Sequence, residues 1–99
     1  MSDAVTRTVR IVNRKGLHAR ASAKLAKLAV TLPTKVEVSF EGETADARSI
    51  MDLLCLGASI GSLVELRSEG ADADASINAV ASLFLDGFGE LAEDEACAK

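Results

Sequence analysis

The chain has 99 residues and a formal net charge of -4, with 48% hydrophobic and 26% charged residues, so it can fill one core and cover it with polar surface. Its acidity, three Phe and lack of Trp or Tyr exclude a nucleic-acid binder built on phosphate neutralisation and base stacking. No run approaches the roughly 18 consecutive apolar residues of a membrane span, and no basic start precedes an apolar signal core, so a cytoplasmic protein without membrane insertion is expected.

Val5, Thr6, Thr8, Val9, Ile11 and Val12 predict a first strand over 5–12, although Arg7 interrupts the alternation. After the polar turn Asn13, Arg14, Lys15 and Gly16, the apolar residues Ala21, Leu25, Leu28 and Leu32 recur at helical spacing, and Pro33 stops them. A helix over about 18–31 follows. Val36, Val38 and Phe40 alternate with Lys35, Glu37 and Ser39 in a second strand, Glu41 and Gly42 make a hairpin turn, and Ala45 and Ala47 alternate on the return strand.

Ser49 precedes Ile50, Met51, Leu53, Leu54 and Leu56, and Gly57 ends the run, as in a short helix between an N-cap and a left-handed stop. Val64 and Leu66 alternate in a fourth strand. The acidic Asp72 and Asp74 open a last helix carried by Ile77, Val80, Ala81, Phe84, Phe88 and Leu91, weakened near its end by Gly87 and Gly89. Beyond Glu93 a fraying tail is expected. The order β-α-β-β-α-β-α predicts one α+β domain, 1–99 with its core at about 4–92, as a two-layer open-faced sandwich with the helices on one sheet face. Cys55 and Cys97 match neither a disulfide framework nor a zinc motif, Cys55 reads as core, and one histidine offers no metal ligand set. No cofactor is expected.

His18, the single histidine, stands just after Gly16 where a helix begins, and Arg20 follows two positions on. A helix start attracts phosphate and favours neutral imidazole, whose lone pair can attack phosphorus, while a nearby guanidinium can meet the charge of the product. The same spacing also suits a histidine that merely caps a helix and an arginine that is an ordinary solvated cation.

The two strings Gly16-Leu17-His18-Ala19-Arg20 and Ser49-Ile50-Met51 tip the balance, because together, and over about residues 4–92, the sequence resembles the phosphocarrier HPr family of the bacterial phosphotransferase system. The resemblance implies an antiparallel sheet of order 1-4-2-3. It also implies that His18 takes a phosphoryl group on Nδ1 from phosphorylated enzyme I, helped by Arg20, and passes it to a IIA-type protein. Ser49 would match a serine that HPr kinase/phosphorylase modifies in some members. Docking would fall on Ile50, Met51 and Leu54 beside Lys24 and Lys27, although apolar residues in a short helix are equally core candidates and helix lysines equally solvated ones. A monomer that acts as a carrier rather than a stand-alone enzyme is expected. Many members have Pro after the arginine where this chain has Ala21, a helix former without proline's fixed φ. Asn13-Arg14-Lys15 and Ala21-Ser22-Ala23-Lys24 resemble the nitrogen-related regulatory branch more than the sugar-transport one. The rival reading is a regulatory binding module that uses the same surface and transfers no phosphate.

Overall fold

Alternation along the strands decides which sheet face is covered. In the computed structural model, which describes residues 4–91, Val36 and Val38 lie buried on β2 (Val36–Phe40), and Val64, Leu66 and Ser68 lie buried on β4 (Leu63–Glu69), while Leu63, Glu65 and Glu69 point to solvent. β1 (Ala4–Arg10) pairs antiparallel with β4 and sets Val9 opposite Val64. β4 also pairs antiparallel with β2, Leu66 against Val38, and β2 forms a hairpin with β3 (Glu43–Asp46), Val38 against Ala45. The described residues thus form one four-stranded sheet in the order β1-β4-β2-β3, the order the family resemblance implies.

Three helices close the buried face. α1 (Ala19–Ala29) contributes Ala21, Leu25 and Ala29, α2 (Ile50–Leu56) contributes Leu53 and Leu56, and α3 (Ala73–Leu85) contributes Ile77, Val80, Ala81 and Phe84 to the core. Fully burying a side chain such as Leu25 or Phe84 stabilises the fold by about 1.5–3 kcal/mol, so the contact between the two layers is the main source of stability. The α+β two-layer reading holds. No helix among the described residues is long and apolar enough to cross a membrane.

The short helix has the ends expected from its sequence. Ser49 Oγ accepts a hydrogen bond from the Asp52 N–H at 3.2 Å, and Gly57 adopts the left-handed conformation at φ 67°. Cys55 corrects the sequence reading: it is exposed, because Leu53 and Leu56, three apart, take the inward stripe of this two-turn helix. A second correction concerns α3, which ends at Leu85 rather than continuing through Leu91. Gly87, Phe88 and Gly89 all have positive φ, at 62°, 56° and 74°, and the chain leaves the α-helix there in a short 3₁₀ turn, Gly87–Gly89. The expected tail and Cys97 lie outside the described residues.

Candidate functional site

The loop that leads from β1 into α1 is docked on the loop after α2. Leu17 N–H donates to Ala58 O at 3.1 Å, and Ile11 exchanges backbone hydrogen bonds with Ser62 O at 2.9 Å and Gly61 N at 2.8 Å. Gly16 has φ +63°, and a Cβ there would stand 2.6 Å from Ala58 O and 2.7 Å from Ser59 Cα, so this crossing admits no side chain. Ser22 Oγ donates to Leu17 O at 3.2 Å and ties the helix's first turn back to the loop.

His18 is the N-cap residue of α1, extended at φ -74° and ψ 179°, and its side chain makes no capping bond. The ring turns instead to Glu90. His18 Nε2 lies 2.6 Å from Glu90 Oε2, and Arg20 Nε donates to the same oxygen at 3.2 Å. The other carboxylate oxygen, Oε1, accepts from Asn13 Nδ2 at 3.1 Å, and that amide nitrogen also donates to Gly16 O at 2.9 Å. Asn13 is completely buried and the Glu90 side chain is 2% exposed, whereas the His18 side chain is 24% exposed and that of Arg20 50%. The cluster therefore has a closed floor and an open rim.

Glu90 reaches this floor through the turn that ends α3. Phe88, a non-glycine residue at φ 56°, occupies a conformation that costs an L-residue about 1–2 kcal/mol. It is held there because its ring is buried edge-on against Phe84, with centroids 4.9 Å apart, and its carbonyl accepts from Lys24 Nζ at 2.7 Å. Burial alone would push the Glu90 carboxyl up. The hydrogen bonds from Asn13, His18 and Arg20 outweigh that effect and hold it below the ordinary value.

The structure brings His18 and Arg20 together as their spacing suggests, and adds two residues that sequence reasoning missed. Asn13 reads as an ordinary turn residue. Glu90 lies 72 positions from His18, and its one local signal is the glycine pair that breaks the helix just before it. Ile50 and Met51 are exposed, Met51 at 68%, while Leu54 is half-buried. Lys27 is exposed, and Lys24 is engaged with Phe88 O.

The fold thus presents its one histidine, partly exposed, at a helix start. The family model for the HPr component phosphorylation site of the phosphotransferase system matches residues 5–86. The chain is 44% identical over 84 residues to the phosphocarrier protein HPr of Cupriavidus necator, covering 85% of this chain and 94% of that one. It is 39% identical to the phosphocarrier protein NPr of Shewanella violacea, over 78% of this chain and 85% of that one. The crystal structure of HPr-C-His from Thermoanaerobacter tengcongensis superposes with a TM-score of 0.81 at 35% identity, covering 87% of this chain and 97% of that one. The chain belongs to the HPr family of phosphocarrier proteins of the phosphotransferase system.

Proposed function

We propose that His18 is the phosphoryl acceptor, charged by phosphorylated enzyme I and discharged to a IIA-type protein. The observation that carries this reading is the placement of the chain's single histidine, partly exposed, at the start of α1 with the Arg20 side chain on the same carboxylate oxygen. Phosphoryl transfer asks the protein mainly to position groups and to stabilise charge. The start of α1 offers backbone N–H groups and a favourable dipole, and Arg20 offers a planar guanidinium suited to phosphate oxygens.

Ile50, Met51 and Leu54 are the apolar contacts of the docking surface, with Lys27 and Lys24 on α1 as its basic flank. Ser49, which caps α2, is the candidate for modification by an HPr kinase/phosphorylase, and a phosphate there would add a charge of about -1.5 to -2 beside that surface. The test is incubation with labelled phosphoenolpyruvate and enzyme I, followed by addition of separate IIA proteins of the sugar-transport and nitrogen-related kinds. Acid-labile label on the wild type, its absence in folded His18→Ala, and its onward passage to one IIA protein are expected. Wild-type labelling in His18→Ala overturns the acceptor assignment, and no label on the wild type favours a purely regulatory binding module.

A further inference from the structure

The carboxylate of Glu90 is the one group in the site that neither the phosphoryl chemistry above nor the matched residues 5–86 account for. A carboxylate at 2% side-chain exposure would cost several kcal/mol if left alone. Here it is held by contacts that divide its two oxygens. Oε1 is tied to Asn13, itself fixed on Gly16 O, so the carboxylate cannot rotate without breaking a buried hydrogen bond. Oε2 is left facing His18 Nε2 and Arg20 Nε. The strained turn at Phe88, clamped by Lys24, fixes where the carboxylate enters.

We propose that Glu90 is a positioning residue for His18: its anchored carboxylate keeps the ring proton on Nε2 and fixes the ring plane, so that the lone pair stands on Nδ1. The inference rests on the reading of His18 as the phosphoryl acceptor. The chemistry follows from the donor inventory. Ionised Glu90 has only acceptor oxygens, so at 2.6 Å the hydrogen between the two groups belongs to Nε2, and a neutral ring with Nε2–H has its lone pair on Nδ1. In the transfer, that lone pair forms the new N–P bond while the bond from phosphorus to the donor breaks and its electron pair leaves with the donor. The Nε2 proton stays in place. The ring becomes a phosphorylated cation opposite an anionic carboxylate, and it returns to the neutral Nε2–H form when the phosphoryl group moves on. Glu90 touches neither donor nor phosphorus and acts through the ring alone.

The test reads the ring directly, without any phosphoryl donor. Nitrogen-15 NMR of the unphosphorylated protein at slightly alkaline pH should show Nε2 as protonated and Nδ1 as bare, with a ring-proton signal protected from exchange with water. In Glu90→Ala the two nitrogen shifts should move toward each other and the ring-proton signal should be lost. Glu90→Gln keeps the volume and one acceptor oxygen, and should restore part of the protected signal. Labelling of His18 should slow about tenfold or more in Glu90→Ala, as expected when a reacting group loses its fixed orientation. Equal ring-nitrogen shifts in the wild type and in folded Glu90→Ala overturn the proposal. If Glu90→Ala does not fold, a wild-type spectrum with Nδ1 protonated and Nε2 bare overturns it. Absence of label on the wild type refutes the acceptor reading and leaves the NMR comparison to decide the role of Glu90.

Discussion

His18 Nε2 and Glu90 Oε2 stand 2.6 Å apart at the meeting point of two distant chain segments, one entering α1 and the other leaving α3. Neither segment makes the pair alone: the first carries the ring and the second the carboxylate that meets it.

Arg20 shares that oxygen through Nε, so its planar fork, and not its charge alone, sets its place. Arg20→Lys keeps the charge and loses the fork. Because the half-exposed residue gives up one hydrogen bond to a buried carboxylate but keeps its charge, substitution should cost about 1 kcal/mol. Phosphoryl transfer from enzyme I to His18 should also slow, as followed by rapid-quench labelling, and an unchanged rate would make Arg20 an ordinary surface cation.

Gly16 is the tightest point of the site's scaffold. Gly16→Ala combines a left-handed backbone with a 2.6 Å approach to Ala58 O, and should cost about 2–4 kcal/mol in urea unfolding. Unfolding at the wild-type midpoint would mean that the two loops part at little cost.

Ser49 gives a smaller effect. Ser49→Ala removes the acceptor for the Asp52 N–H and should cost about 1 kcal/mol, because the orphaned donor at the helix start loses its side-chain partner. Label transfer through His18 should persist. Thermal unfolding within error of the wild type would show that solvent replaces the cap.

Asp46 accepts two hydrogen bonds from the Arg48 side chain and one from its backbone N–H, which hold its carboxyl down at about 2. A carboxyl depressed on folding stabilises the fold above its unfolded value, and that contribution is lost as pH falls through the folded value. The Arg48 contribution should therefore be intact at pH 5 and vanish over roughly pH 4 to 2. A carbon-13 carboxyl titration should place the Asp46 midpoint near 2 in the wild type and higher in Arg48→Ala, and equal midpoints would contradict the assignment.

The sequence shows most of the frame, because the frame is local. Val36, Val38 and Phe40 declare a strand by their period, and Ser49 with Gly57 brackets a helix whose observed limits match. His18 and Arg20 are legible for the same reason, being two residues apart at a visible loop-to-helix change. Cys55 misleads because an apolar run in a two-turn helix does not say which residues face in, and helical spacing assigns the inner stripe to Leu53 and Leu56. The end of α3 misleads because Phe88 keeps the apolar period while its backbone leaves the helix, a departure made possible by a glycine on either side and by burial against Phe84. Glu90 and Asn13 are invisible in one dimension, since each acquires meaning only from the other's position in space.

The turn that delivers Glu90 also times the assembly of the site. Asn13, His18 and Arg20 lie between the end of β1 and the first turn of α1, whereas Glu90 follows α3. Closing a loop of 72 residues is entropically dearer than any step within α1 or the β2–β3 hairpin, and it must await the docking of α3. A chain in which α3 has not docked therefore displays its histidine without the Glu90 contact, and the pair forms only once that helix is in place.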